Sequence, residues 1–150
     1  MALIRQATAE DIAQLSEFGS KFFQYSGYGK LLTYSAEDMV QALYAILDTG
    51  VIFVAEVDGK LVGGIMGIMS VLWCQPSVPV AAELAWWVDE QYRNHPIGIR
   101  LLKQFEDYAE EQGAKVVVMS DMLLEGRSTV GEMLNRFGYE TTERSHMKVL

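Results

Sequence analysis

One acidic residue, Glu83, stands in an otherwise apolar run that continues to Val88. The run is typical of a β-strand, and a carboxyl group desolvated within a strand has a raised pKa. A carboxyl group that titrates near neutral pH can take a proton from a reacting group as a general base. We therefore expect Glu83 to act as a base. The alternative is a glutamate at a strand end that faces solvent or an arginine.

The same run leads to a second candidate, the start of a helix that could bind an anion. A short loop, residues 89–95, precedes an amphipathic helix with apolar residues at Ile97, Leu101 and Phe105. The first turn of a helix offers unpaired backbone N–H groups and the positive end of its dipole, which suit a phosphate or pyrophosphate group. Arg93 could add a charge-assisted contact. Because every helix has such an end, this physics alone is weak support for a site.

The elements that must position these residues are indicated by apolar periodicity and by the glycine and proline residues between them. Thr8 and Ser35 each stand three positions before an acidic residue and start an apolar run with helical spacing, so they predict two helix starts. Asp58-Gly59 predicts a type I′ hairpin turn between two strands. Strands are predicted over residues 3–7, 51–57, 60–72, 81–88 and 115–119, with two closing strands at 139–142 and 146–149.

The order of the predicted elements is a strand, two helices, three strands, a helix, a strand, a helix and one or two strands. Antiparallel hairpins followed by a βαβ crossover predict an α/β (α+β) fold, with a mixed, mostly antiparallel sheet of six or seven strands and helices on both faces. Pro76 and Pro79 predict a loop before the fourth strand. The almost wholly apolar strand at 115–119 is expected in the middle of the sheet, and Trp86 and Trp87 are expected on opposite faces.

Length and composition indicate one globular domain over residues 1–150. Half of the 150 residues are hydrophobic, yet no apolar run is long enough to span a membrane. A single cysteine, Cys74, and no basic segment followed by an apolar one near Met1 favour a cytoplasmic location. Two histidines and one cysteine argue against a zinc site, and we expect no metal.

The formal net charge of −8 bears on the partners of the chain. Phosphate contacts need clustered lysine and arginine, so this charge argues against a nucleic-acid binder. An acidic surface would favour the approach of a cationic substrate, whereas the plainer explanation of the charge is solubility.

Several short segments resemble the GNAT superfamily of N-acetyltransferases. The coenzyme-binding pattern of that family is Arg or Gln, two residues, Gly, one residue, then Gly or Ala. Here it runs from Arg93 to Gly98, with Pro96 in place of the first glycine. The order of the predicted elements is also similar to the order in the family, and Trp86-Trp87-Val88 resembles small members carried by phages. Further matching residues are Val88-Asp89, Tyr92, Ile97, Leu101-Leu102 and Arg136-Phe137-Gly138-Tyr139.

The resemblance implies a GNAT fold with acetyl-CoA as cosubstrate. The pyrophosphate would lie at the helix start, where Pro96 lacks the N–H that a glycine would offer yet suits the first helical turn. Gly98 would let the backbone approach the phosphates closely. The strand ending at Val88 should splay from the strand near Val116, leaving backbone groups to pair with the pantetheine arm. The implied coenzyme-binding residues are Trp87, Val88, Arg93, Asn94, His95, Ile97, Gly98 and Ile99.

The implied reaction is transfer of an acetyl group to a primary amine of a small molecule or protein, by direct attack on the thioester. Glu83 stands where many family members place a glutamate, so the resemblance also favours it as the general base. A backbone N–H near Trp87 or Val88 would stabilise the oxyanion that develops during attack.

A tyrosine that many family members carry in the last helix is replaced here by Leu134, which cannot donate a proton to the leaving thiol. Tyr139, Tyr108 or Ser128 could replace it, or water could, or the thiolate could leave unaided because the pKa of a thiol is around 8.5. Together with Pro96, Leu134 keeps an alternative open: a catalytically degenerate GNAT-fold module that binds CoA or a protein partner.

The sequence leaves the acceptor open. In the GNAT family the first two helices and their connection wall the acceptor pocket, and here that region is rich in aromatic residues. Ordinary core packing is the alternative, above all for the phenylalanines. We expect an amine partner, cationic or not, and a homodimer is the commonest oligomer of soluble proteins. The aromatic residues are Phe18, Phe22, Phe23, Tyr25, Tyr28 and Tyr34.

Overall fold

A computed structural model of the chain describes residues 1–124 and 126–150. Its strands are β1 (Leu3–Gln6), β2 (Val51–Val57), β3 (Lys60–Leu72), β4 (Gln75–Val88), β5 (Val116–Val118), β6 (Leu123–Leu124) and β7 (Arg127–Ser128). Its helices are α1 (Ile12–Tyr25), α2 (Tyr28–Leu31), α3 (Ala36–Thr49), α4 (Ile97–Glu111) and α5 (Gly131–Arg136). Single 3₁₀ turns at Ala9–Asp11 and Glu90–Tyr92 precede α1 and α4.

The first five strands form one sheet in chain order. β1 to β4 pair antiparallel, and β5 joins β4 in parallel, while β6 and β7 form a separate two-stranded ribbon. β2 and β3 are joined at Asp58 and Gly59, whose φ angles of 49° and 77° lie in the left-handed region. A type I′ turn needs positive φ at both central residues, so the predicted hairpin turn is confirmed.

Helices cover both faces of the sheet, as the order of the elements predicts. On one face α4 buries Leu101 and Phe105 against β2, β3 and β4. On the other face Leu15 of α1 and Leu43 of α3 pack against Ile52 of β2. Burying one large apolar side chain contributes about 1.5–3 kcal/mol, so the two clusters together hold the sheet between the helices.

A charged cluster lies along β1. Arg5 binds Asp11 and Glu56, with Nη1–Oδ2 and Nη2–Oε2 distances of 2.8 Å each. Asp11 also accepts a hydrogen bond from the Thr8 N–H at 2.9 Å, at the helix start that the sequence predicts. The hydrogen bonds from Arg5 lower the pKa of the Asp11 carboxyl and outweigh the effect of its burial. The cluster therefore ties the start of the first helical region to the sheet.

The predicted fold class is confirmed, but two details of the sheet differ. The sheet has five strands rather than six or seven, because residues 139–142 and 146–149 form no strand in the described part of the chain. The apolar run at 115–119 was expected in mid-sheet, yet β5 is a short edge strand whose Val116 and Val118 are 41% and 40% exposed. A β-branched run identifies a strand, but it does not say how many neighbours the strand has.

The prediction of a loop at Pro76 and Pro79 is wrong, since β4 begins at Gln75. Proline has no N–H and is tolerated in a strand that pairs on one side only. β5 pairs with β4 only from Val80 onward, so the first residues of β4 have β3 as their one strand neighbour within the described residues.

Candidate functional site

β4 and β5 separate part of the way along the sheet. Their pairing ends at Ala82 opposite Val118, whereas β4 continues to Val88 and remains paired with β3. Along residues 83–88 the β4 edge that faces β5 has no strand beside it in the described part of the chain. Apart from the Val88 carbonyl, which accepts a hydrogen bond from Arg93, the backbone N–H and C=O groups of this edge can pair with another extended group.

Glu83 is the first residue of β4 beyond that separation. The residue is buried, with 7% exposed, and its Oε2 accepts a hydrogen bond from the Ser120 N–H at 2.9 Å. Burial raises the pKa of the Glu83 carboxyl to about 7, and the hydrogen bond from Ser120 opposes the shift without outweighing it. The group can therefore accept or release a proton at neutral pH.

Ser120 carries no sequence signal for this position. It contributes a backbone N–H, which every residue except proline has, so its residue type says nothing about the contact. The contact follows from the course of the chain: Ser120 comes just after β5, and its hydrogen bond to Glu83 spans the two strands where their ladder stops.

Trp86 and Trp87 lie on opposite faces of β4, which confirms the predicted alternation. Trp86 packs with the core cluster under α4. Trp87 faces α1, where its ring stacks on Tyr25 with centroids 5.8 Å apart and meets the edge of Phe22 at 6.4 Å. Both indole N–H groups are buried without a hydrogen-bond partner among the described residues. Such groups are rare in folded proteins, and they add unmet polar groups to this end of β4.

Arg93 lies against the end of β4. Its Nε–H donates to the Val88 carbonyl at 3.0 Å, and its guanidinium carbon is 4.6 Å from the centroid of the Trp87 ring. A guanidinium group stacks favourably on an indole face. The side chain is exposed, and its hydrogen bond to Val88 places it at the open edge of β4.

In the loop before α4 and in the first turn of α4, some backbone N–H groups donate hydrogen bonds within the chain and others have no acceptor there. The His95 N–H donates to the Tyr92 carbonyl at 3.0 Å, so of this residue the imidazole is the part that could reach an anion. The first hydrogen bond of α4 joins the Arg100 N–H to the Pro96 carbonyl at 3.0 Å. Three amides before Arg100, those of Ile97, Gly98 and Ile99, have no intrahelical acceptor by the geometry of a helix start. Pro96, with φ of −73°, directly precedes them.

Gly98 brings the start of α4 close to β4. A Cβ at this position would lie 3.5 Å from Trp86 Cζ2 and 3.6 Å from Val88 Cγ2. These are ordinary contact distances, so the missing side chain faces the strand. The orphan amides of α4 and the open edge of β4 are therefore neighbours in space, as a ligand with a diphosphate and an extended amide-bearing arm would require.

Two of the three side chains considered as thiol-protonating groups, those of Tyr139 and Ser128, use their hydroxyls in other contacts. Leu134, which stands at the usual position, is buried. Tyr139 donates its hydroxyl to Glu106 at 2.7 Å, and its burial together with that contact raises the pKa of the phenol. Tyr108 stacks on Phe105 in the core. Ser128 donates to Asp121, a contact that holds the segment before α5.

The aromatic residues of the first two helices divide into three groups. Phe18 packs with the core cluster under α1 and α3, and Phe23 meets Tyr34 with centroids 5.4 Å apart. Tyr25 and Tyr28 are 55% and 40% exposed, and the Tyr25 ring stacks on Trp87. Phe18 therefore packs on the core, Phe23 and Tyr34 form a half-buried pair, and Tyr25 and Tyr28 are exposed at the surface.

A shallow groove of about 430 Å³ lies elsewhere, between α1, the β2–β3 turn and the loop after β4. Neither Glu83 nor Trp87 lines this groove, and its size alone does not make it the functional site. The buried carboxyl and the open strand edge identify the site instead.

The described residues contain no group of three His, Cys, Asp or Glu side chains arranged to hold a metal ion. No helix in the described part of the chain has the length and apolar character needed to cross a bilayer.

Comparison with known proteins points to one family. The model of the Acetyltransferase (GNAT) family matches residues 23–123. No curated protein sequence matches the chain.

Solved structures share the fold at low sequence identity. A transcriptional regulator from Bacillus halodurans C-125 superposes with a TM-score of 0.80 at 16% identity, over 100% of both chains. Aminoglycoside N-acetyltransferase AAC(6')-Iy in complex with CoA gives a TM-score of 0.78 at 17% identity, over 100% of this chain and 95% of the other. A Clostridium acetobutylicum protein described as a predicted acetyltransferase, solved with acetyl-CoA, gives 0.76 at 12% identity, over 99% and 96%.

Proposed function

The chain belongs to the GNAT acetyltransferase family and is an acyltransferase, and we propose that it transfers the acetyl group of acetyl-CoA to a primary amine with Glu83 as general base. The observation that carries the proposal is the place of Glu83. It is the one buried glutamate among the described residues, its pKa is raised to about 7, and it borders the open edge of β4.

Acetyl-CoA would supply the activated acetyl group as a thioester. The orphan amides of Ile97, Gly98 and Ile99 would bind its pyrophosphate, and Arg93 would add a charge-assisted contact once it leaves the Val88 carbonyl. The open β4 edge at Trp87 and Val88 would pair with the pantetheine arm. Asn94 and the His95 imidazole stand in the loop between these two sets of groups.

Proton transfer would be the task of Glu83. An alkylamine is mostly protonated at pH 7 and cannot attack until it loses a proton. The ionised Glu83 carboxylate takes that proton, directly or through a water, and the neutral amine then attacks the thioester carbonyl carbon as the C–S bond breaks. A backbone N–H near Trp87 or Val88 stabilises the negative charge that develops on the carbonyl oxygen.

The departing sulfur would need no side-chain acid. Leu134 cannot donate a proton, and Tyr139 is bound to Glu106. A thiol has a pKa of around 8.5, so the thiolate is a good leaving group near neutral pH.

A second candidate function is a GNAT-fold module that binds CoA or a protein partner without turnover. Two observations favour it: Pro96 removes one amide from the start of α4, and the buried Leu134 removes the usual acid.

The acceptor in the enzyme proposal is a small molecule or protein amine, and the net charge of −8 favours a cationic one. The same negative charge argues against nucleic acid as a partner. The single cysteine, Cys74, is consistent with the reducing cytoplasm as the location of the chain.

The test has two stages on the full chain. Calorimetric titration of acetyl-CoA should show saturable one-site binding, and thiol release should then be measured with a panel of primary amines. Glu83→Gln should lower thiol release by about 10²–10⁴-fold, the contribution typical of a general base, and leave coenzyme binding unchanged. The matched control is Glu110→Gln, an exposed carboxyl on α4 that should leave both readouts unchanged.

The pH dependence adds an independent check. Because the base must be ionised, kcat/KM of the wild type should rise through about pH 7, the pKa of Glu83, and this limb should be missing in Glu83→Gln. Binding without turnover on any amine would favour the module instead. No binding at millimolar acetyl-CoA would contradict the enzyme and the CoA-binding module, and would leave the module that binds a protein partner.

A further inference from the structure

The ring of Trp87 carries a positive charge from the chain itself. The guanidinium carbon of Arg93 is 4.6 Å from the ring centroid, well within the distance of about 6 Å over which a cation is attracted to an aromatic face. The Arg93 side chain is exposed and Trp87 is half-buried. The indole therefore offers a position beside the open edge of β4 at which a cation is stable, and solvent reaches the cation there.

Two rings of α1 hold the Trp87 indole in place. Tyr25 stacks on it and Phe22 meets it edge-on, with centroids 5.8 Å and 6.4 Å away. α1 ends at Tyr25, and the next residue, Ser26, is buried and donates its hydroxyl to the Phe23 carbonyl at 2.8 Å. Because the helix end is fixed in this way and Tyr25 is 55% exposed, the aromatic surface continues from Trp87 out to solvent.

The register of the sheet gives the separation between this position and the Glu83 carboxyl. Glu83 lies opposite Gly67 of β3 and Trp87 lies opposite Gly64, three positions along the same strand. At a rise of about 3.3 Å per residue, the two residues of β4 are about 10 Å apart along the sheet. Both belong to residues 83–88, the part of β4 without a strand on its β5 side in the described chain. A ligand extended along this part of β4 could contact both.

We propose that the acceptor carries two cationic groups about 10 Å apart: the primary amine that loses its proton to Glu83, and a second ammonium or guanidinium group that takes the place of Arg93 on the Trp87 ring. The substrate class is then an extended aliphatic diamine or polyamine, or an amine with a distant guanidinium group. The proposal rests on the proposed function, since Glu83 is the base there. The net charge of −8 would attract such a dication more strongly than a simple amine.

Arg93 then excludes the second cationic group until it moves. Two positive charges in one position repel each other, so the guanidinium must leave the Trp87 ring before the acceptor can occupy it. A coenzyme phosphate that binds Arg93 would draw it away. Removal of the Arg93 side chain should have the same effect without any coenzyme, and this gives the proposal a test that is independent of turnover.

The first experiment measures binding by calorimetry at pH 8, with the full chain and without coenzyme. The probes are 1,8-diaminooctane, which spans the required distance when extended, and 8-amino-octan-1-ol, which has a hydroxyl in place of one ammonium. In Arg93→Ala the affinity for the diamine relative to the amino alcohol should rise by roughly five- to thirtyfold over the wild type, as expected for one cation on an indole. The control Lys103→Ala also removes one positive charge, from the exposed face of α4, and should leave this ratio unchanged. Equal ratios in Arg93→Ala and Lys103→Ala would overturn the proposal.

The second experiment removes the ring in the Arg93→Ala background. Trp87→Leu should abolish the preference for the diamine, because the amino alcohol measures any general damage to the site in the same variant. Trp73→Leu changes an exposed tryptophan between β3 and β4 and should keep the preference. A preference for the diamine that survives Trp87→Leu would overturn the proposal.

Thiol release from acetyl-CoA separates this proposal from the proposed function. If the diamine binds with the expected preference but releases no thiol, the transfer reaction is wrong and the cation site on Trp87 stands. If both probes release thiol with the same kcat/KM and the reaction depends on Glu83, the transfer reaction stands and the cation site is wrong.

Discussion

The antiparallel part of the sheet and its parallel edge are built in different ways. β2 pairs with β3, and β3 with β4, along most of their length, with Phe105 filling the space above Gly67, where a Cβ would fall 2.5 Å from the ring. β4 and β5 pair over three residues and then separate, and a carboxylate takes the place of the next ladder contact. β2 and β3 have a strand on each side, whereas β4 has no strand on its β5 side beyond Ala82 in the described residues.

The contrast shows where binding can occur at small cost to the fold. A ligand that paired with β2 or β3 would have to break existing strand pairs. The edge of β4 beyond Ala82 is open, and the buried Glu83 lies at its beginning. The antiparallel part acts as the scaffold that keeps this opening in place. Three substitutions test this division.

The largest effect is expected in the scaffold. Phe105→Ala should lower the free energy of unfolding by about 3–5 kcal/mol, because it removes a fully buried ring from the cluster under α4. Urea unfolding followed by circular dichroism measures the change. The control Leu84→Ala, a residue of β4 that is 45% exposed, should stay within about 0.5 kcal/mol of the wild type. Equal losses in the two variants would contradict the assignment of the scaffold.

In the open region between β4 and β5, a substitution should have the opposite effect and raise the free energy of unfolding. Burial raises the pKa of Glu83 from 4.5 to about 7, so the unfolded chain loses this proton at a lower pH than the folded chain does. The stabilising effect of the neutral form is complete below pH 4.5 and is lost as the pH rises to 7. Glu83→Gln keeps an acceptor for Ser120 without the charge, so it should be more stable than the wild type at pH 8 by about 3 kcal/mol.

Urea unfolding at pH 4.5 and pH 8 measures the second prediction, which separates the two regions most clearly. The advantage of Glu83→Gln should be small at pH 4.5 and large at pH 8. The exposed control Glu110→Gln should show no such difference. A variant that is less stable than the wild type at pH 8 would mean that the carboxylate belongs to the scaffold.

The smallest effect on the free energy of unfolding is expected in the segment between β5 and α5. Asp121 accepts hydrogen bonds from Ser128 and from the Thr129 and Val130 N–H groups before α5. Its burial works against ionisation, yet these hydrogen bonds outweigh it and lower the pKa of the carboxyl. Asp121→Ala should lower the free energy of unfolding by about 1–2 kcal/mol, as removal of a helix cap does, and the exposed Asp107→Ala should have almost no effect. A loss as large as that of Phe105→Ala would place this segment in the scaffold.

Much of the scaffold could be predicted from the sequence, because its signals are local. Positive φ is accessible to Asp58-Gly59, which identified the hairpin turn, and the strand bounds 51–57 and 60–72 agree with β2 and β3. The burial of Glu83 followed from the apolar residues around it, and alternation placed Trp86 and Trp87 on opposite faces. Each of these depends on residues close together in the chain.

The rest depends on contacts between distant residues. Local pattern cannot state that β5 ends the sheet or that Ser120 reaches Glu83, 37 positions away. It did not foresee that Arg93 would lie on Trp87, or that Tyr139 would bind Glu106. The strands predicted at 139–142 and 146–149 have the right residue pattern but no partner strand among the described residues. The roles of Glu83 and of the coenzyme-binding residues remain predictions.

Because the Arg93 side chain binds the Val88 carbonyl, it competes with any ligand for this edge of β4. Any ligand that pairs with the Val88 carbonyl must first displace the guanidinium from that oxygen and from the Trp87 ring. One exposed hydrogen bond and one exposed cation–π contact are together worth about 1–2 kcal/mol. The edge is then fully free in roughly one molecule in ten, and the apparent affinity falls in the same proportion. A ligand carrying phosphate regains part of this difference, because it gives the displaced guanidinium a new anionic partner, and so the edge discriminates against neutral extended ligands.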